Sequence, residues 1–307
     1  MRHAGIIIES DAQFAGHETF PLRLLWLKKA FEAVGDSAPT GTFQEQEAIA
    51  RFGVGRNMAQ SMRHWALASG FFEEEGRVIR PTELGKLILP DDGYDPYVER
   101  AATIWLIHWH IASTSERTTT AYYAFNALAA IEFDPATLVE ELLALAAAHK
   151  KRATRGTLKR DVEVFLRSYV RKGEVQSEDA AEPLLAELGL IREARLGGWY
   201  EFVRGPKPSL PAGVFLYALG RFWERQGGST ALTAEQICYA PGSPGRVFKL
   251  DEDSLVTRLM ALADQTGGAW RWTDTAGLRQ IQRQSDFDPT AAIASDYGRA
   301  RQWANAA

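Results

Sequence analysis

The chain has 307 residues, enough for two or three hydrophobic cores, and its 46% apolar and 24% charged residues exclude a disordered protein. A net charge of -4 argues against a protein that coats nucleic acid without selection, while leaving room for a local basic surface. The single cysteine, Cys238, excludes an internal disulfide and a cysteine-built zinc site, and it reads as a small core residue of a cytoplasmic protein.

The apolar stretch Gly5 to Ile8 is too short for a signal peptide, and no run reaches the roughly eighteen apolar residues of a membrane span. Leu22 to Val34 has the spacing of an amphipathic helix, with Thr19 as its N-cap and Pro21 in its first turn. A loop from Gly35 to Gly41 follows. Phe43 to Phe52 and Gly55 to Ser69 read as two short helices around a glycine turn, then Phe71 to Pro81 as strand, turn, strand. Thr82 to Leu89 opens another helical turn.

Helices are expected at Tyr97 to Ser113, Thr120 to Ala130, Pro135 to His149 and Thr157 to Val170. The rhythm of short helix and two strands then recurs at Glu182 to Val203, and a third time from Ser254 through Trp270 to Trp272. The Pro-rich segment Arg204 to Pro211 reads as a linker, and the tail after Ile281 as loosely held. The expected fold is mainly α: a winged-helix DNA-binding domain over residues 1–95, a helical middle region with a basic strip over 96–204, and a winged-helix-like region over 205–307.

The unit from Gln44 to Leu89 carries the most information. Turning 100° per residue, the helix after Gly55 collects Arg56, Asn57, Gln60, Ser61, Arg63 and His64 on one face without an acid among them. Arg suits guanine, Asn and Gln suit adenine, and Ser suits backbone oxygens, so this face reads as a major-groove contact. Arg77 and Arg80 on the strand pair could reach phosphates, or pair with Glu73 to Glu75. From His149 to Lys172 nine Lys or Arg stand against Asp161 and Glu163. Within that run Lys150, Lys151, Arg152, Arg155, Lys159 and Arg160 form a second candidate phosphate strip.

Several strings resemble the DUF4007 family of domains of unknown function: FAGHETFPLRLLWLKKAF (Phe14 to Phe31), FGVGRNMAQSMRHWALASGFFE (Phe52 to Glu73) and DPYVERAATIWLIHWHIAS (Asp95 to Ser113). So do TTTAYYAFNAL (Thr118 to Leu128) and TLKRDVEVFLRSY (Thr157 to Tyr169). Members are similar to the B subunit of a bacterial antiphage system that places phosphorothioates in one DNA strand. The resemblance implies a protein that binds double-stranded DNA and nicks it. Its implied partners are a cysteine desulfurase, an ATPase and a sulfur transferase, and a homodimer is open.

Nicking would use a catalytic group and commonly Mg²⁺ or Mn²⁺ held by carboxylates, yet no nuclease motif is present. His17 and Glu18, in the family's most distinctive string and ahead of a helix, are the catalytic candidates. The alternative is a turn residue and a dipole partner. Asp95 and Glu99, four apart at a helix start, are the metal candidates, with capping as the alternative. His108 and His110, among Trp and Ile, read as core histidines. Two non-enzymatic readings stay open beside the nickase: a winged-helix transcriptional regulator, and an assembly protein.

Overall fold

The computed structural model describes residues 12–44, 50–128, 130–171, 183–195, 197–275 and 277–298. The chain is rich in helix with small antiparallel sheets, and it divides into two compact units, Met1–Val203 and Arg204–Ala307. The division falls at the start of the Pro-rich segment 204–211. No helix among the described residues is long and apolar enough to cross a membrane.

In the first unit, α1 (Trp26–Val34) is followed by β1 (Ala38–Pro39), α2 (Arg56–Ala68) and the hairpin β2 (Phe72–Glu75) and β3 (Val78–Pro81). The three strands form one sheet in the order β1-β3-β2. The earlier helix expected at Phe43 to Phe52 falls largely on residues 45–49, outside the described residues, with helix present at 50–52. Gly76, at a φ of 61°, supplies the left-handed turn of the hairpin. Thr82 caps α3 (Glu83–Ile88) by accepting from the Gly85 N–H.

α1 starts four residues later than the apolar spacing suggests. Thr19 does not cap it; Glu18 and Thr19 both have positive φ, and Leu25 occupies the cap position without a side-chain hydrogen bond. The segment before the helix is drawn into the core by contacts described below, and that overrides local propensity.

α4 (Ala101–Ser113) is buried on nearly every side, with Trp105, His108 and Trp109 at 1% exposure or less. His108 meets the Tyr169 hydroxyl at 2.7 Å through Nδ1, a satisfied core histidine. α5 (Thr119–Asn126) packs beside it, α6 (Pro135–Ala148) packs against α5 and α7 (Arg155–Tyr169), and α7 reaches α4 through Tyr169. Asp134 and Thr154 cap α6 and α7. β4 (Glu132–Phe133), β5 (Ile191–Arg195) and β6 (Trp199–Phe202) form a second sheet in the order β4-β6-β5.

The second unit contains α8 (Ala212–Glu224), β7 (Ala231–Thr233), α9 (Ala234–Tyr239), α10 (Pro244–Val247), α11 (Glu252–Met260) and α12 (Leu262–Gln265). The hairpin β8 (Trp270–Thr275) and β9 (Leu278–Arg283) completes a sheet ordered β7-β9-β8. Each of the three sheets thus sets one short strand against the second strand of a later hairpin, so the recurrent rhythm of the sequence exists in the fold. The tail is not loose up to residue 298. α13 (Pro289–Ala292) and the turn after it bury Ile293 and Tyr297, and the Asp296 carboxylate caps α8 by accepting from the N–H groups of Gly213 and Val214 at 3.0 and 2.8 Å.

Candidate nucleic-acid interface

The polar face expected on α2 divides along the helix. Arg56 and Asn57 in the first turn are exposed, whereas Ser61 and His64 are buried, at 0% and 5% exposure. Gln60 and Arg63 are half-buried and already engaged: Gln60 donates to the Phe43 carbonyl at 3.0 Å, and Arg63 pairs with Glu74. Burial of Ser61 and His64 is a correction to the wheel. Packing against the segment 12–20 uses part of the face that composition assigns to solvent: the Ser61 hydroxyl and the Trp65 indole N–H both donate to the Phe20 carbonyl, at 3.5 and 2.9 Å.

Among the described residues, no side chain caps the α2 N-terminus. Gly55 precedes it in an extended conformation, and no acid lies in its first turn. The positive end of the helix dipole therefore lies beside the exposed Arg56 and Asn57. On the hairpin, Arg77 is exposed. Arg80 is clamped between Glu73 at 2.6 Å and Glu75 at 2.9 Å, and the Glu73 hydrogen bond holds its guanidinium above the usual arginine range.

Along the basic strip, Lys150, Arg152, Lys159 and Arg160 are exposed and Lys151 is half-buried. Arg155 is exposed but forked onto Glu140, with Nη2 at 2.9 Å from one carboxylate oxygen.

His17 and Glu18 part company. Glu18 is exposed; His17 is buried and its Nε2 lies 2.8 Å from Asp161 Oδ1. His17 Nδ1 accepts from the Thr19 N–H at 3.2 Å, so the proton sits on Nε2 and is donated to Asp161. Asp161 also accepts from the Ala15 N–H at 2.6 Å and the Thr120 hydroxyl at 2.9 Å. Both ring nitrogens of His17 are committed, and α1 begins nine residues further on, so no helix N-terminus adjoins it. Three residues of this loop, Ala15, Glu18 and Thr19, have positive φ; such conformations cost energy and persist only where surrounding contacts impose them. His17 stacks on Trp65, with centroids 6.4 Å apart, and meets His64 edge-on at 6.0 Å. Burial, reinforced by His17 and the neighbouring arginines, lowers the His64 pKa to about 3.

Asp95 and Glu99 do not fit a shared Mg²⁺. Asp95 is buried, and its oxygens accept from the N–H groups of Glu99 and Arg100 at 3.0 and 2.9 Å and from the Thr103 hydroxyl at 2.5 Å. It organises the entry to α4, and Glu99 is exposed to solvent. Among the described residues no group of three His, Cys, Asp or Glu could hold a metal ion.

Sequence reasoning missed Asp161, which it counted as one of two acids in a basic run. The signal was available: Leu158, Asp161, Phe165 and Ser168 follow helical spacing along the buried face of α7, where an isolated carboxylate requires partners.

A family model described as "Protein of unknown function (DUF4007)" matches residues 14–297. Two solved structures resemble the chain over 96% of its length and 91% of theirs, each with a TM-score of 0.84. One, at 25% identity, is described as a magnesium ion-bound SspB crystal structure; the other, at 24%, as an SspB crystal structure. No curated protein matches the chain.

Proposed function

The chain belongs to the DUF4007 family, and from that membership we propose that it is a DNA-binding component of a bacterial DNA phosphorothioation system, acting as or with a strand nickase. The observation that carries this reading is the near full-length likeness to SspB structures. The order helix, strand, helix, hairpin in the first unit supports a winged-helix reading, in which the N-terminal end of α2 enters the groove.

Two features favour that docking. The uncapped α2 N-terminus offers amides and a positive dipole to a phosphate, and Arg56 and Asn57 beside it can pair with guanine and adenine edges. Lys150, Arg152, Lys159 and Arg160 are exposed for backbone contacts elsewhere on the same unit.

Nicking is proposed without a catalytic assignment to His17, whose nitrogens are both engaged, or to Asp95, whose oxygens are satisfied. A sulfur-inserting machine needs an opened strand, which makes nicking the natural duty of its DNA-binding subunit. The test is relaxation of supercoiled plasmid by the full chain with Mg²⁺ or Mn²⁺, beside a duplex titration at fixed salt. Nicked circles together with saturable binding support the reading. Binding without nicking leaves a recognition subunit or a regulator, and absence of both overturns it.

A further inference from the structure

Polar side chains sealed from water normally have partners, because an unpaired one retains its full desolvation cost. His64 Nε2 breaks this rule: it is shielded from solvent and has no hydrogen-bond partner. The residue as a whole is only 5% exposed. It lines a recess with His17, Asp161, Thr120, Arg117 and Gly16 that has a volume of about 30 Å³.

We propose that this recess is a binding site for one water molecule, which donates one hydrogen bond to His64 Nε2 and the other to Asp161 Oδ2. A single water needs roughly 10–15 Å³ of such space and two to four polar partners. The recess is large enough for one and too small for a phosphate or a nucleotide. Asp161 has the capacity required. Of the roughly four lone-pair directions on a carboxylate, Ala15, His17 and Thr120 use three, and only Thr120 is on Oδ2. His17 cannot compete, since its own nitrogens are filled. Arg117 also lines the recess.

Gly16 shows how closely the loop is fitted to this site. A Cβ there would stand 2.5 Å from His64 Nδ1, so only glycine lets the loop pass over the ring. The water joins α2 to α7, the helices that carry Arg56 and the second half of the basic strip. The inference does not depend on the DNA-binding reading.

Crystals of the full chain diffracting beyond about 1.5 Å test it directly. A water peak within hydrogen-bond distance of both His64 Nε2 and Asp161 Oδ2 is expected. In solution, long-range ¹⁵N–¹H NMR is expected to show the His64 proton on Nδ1. His64→Phe keeps a ring but removes the acceptor, and its crystals lose the peak. An empty recess, an anomalous or halide peak in place of water, or a protonated Nε2 overturns the proposal. Should His64→Phe not fold, the parent's peak and tautomer decide alone.

Discussion

Asp161 gathers donors from three distant places in the chain: the amide of Ala15, the ring of His17 and the hydroxyl of Thr120. Replacing it by Ala leaves all three without an acceptor in a site of low exposure, at about 1.5–3 kcal/mol for each hydrogen bond to a charged group. Asp161→Ala is therefore expected to lower stability by at least about 3 kcal/mol in urea unfolding; a loss under about 1 kcal/mol would show that the loop contributes little. Arg56 and Asn57 differ from Asp161 in being exposed. Arg56→Ala and Asn57→Ala should leave the melt unchanged. If each makes a bidentate base contact, each should weaken duplex binding by roughly 1–3 kcal/mol and relax preference at one base position. Parental affinity in both would remove α2 as the reader. The sequence named these two residues correctly as exposed polar positions but could not separate them from Ser61 and His64. The separation is made by Phe20, forty-one residues before Ser61, whose carbonyl the spacing of α2 alone does not reveal.

At the scale of elements, the helices and hairpins were legible wherever periodicity and turn chemistry agreed. The β2–β3 hairpin announced itself through its turn at Gly76, and α6 starts at Pro135 as its spacing places it. α1 was misplaced at its start because its approach is shaped by Asp161, a long-range partner rather than a local cap. The basic strip shows the same limit. Six cations in sequence look equivalent, yet Arg155 is forked onto Glu140 whereas Lys150, Arg152, Lys159 and Arg160 stand exposed. Neutralising those four to Gln should flatten the plot of log K against log salt, by up to about 0.9 for each phosphate that is no longer neutralised. Arg155→Gln alone should change the slope little. An unaltered slope in the fourfold variant assigns the strip to a protein partner or to solvent. Close packing between elements is equally specific: a Cβ on Gly85 would lie 2.1 Å from the Phe71 carbonyl oxygen. Gly85→Ala must move α3 from the hairpin, and a loss of about 1–3 kcal/mol is expected by calorimetry.

For the molecule as a whole, His64 links stability to pH. Its folded-state pKa, about 3, lies below the 6.5 of an open histidine, so the unfolded chain takes up the proton first as pH falls. The stabilising contribution is complete above pH 6.5 and is lost between 6.5 and about 3, a gap worth roughly 5 kcal/mol. His64→Phe should flatten the fall in stability between about pH 6.5 and 4, measured by denaturant unfolding at each pH. An unchanged slope would place the acid sensitivity elsewhere. The clamp on the loop also has a consequence for biosynthesis. His17 emerges from the ribosome 144 residues ahead of the carboxylate that fixes it. At roughly 5–20 residues per second, the loop waits about seven to thirty seconds for its anchor. Until then the loop, with its positive φ at Ala15, Glu18 and Thr19, has its contacts to α2 but not the carboxylate that takes the Ala15 amide and the His17 ring. A loop translated well before α7 is therefore fully anchored only after α7 is made, and a chain stalled before α7 would leave it without Asp161.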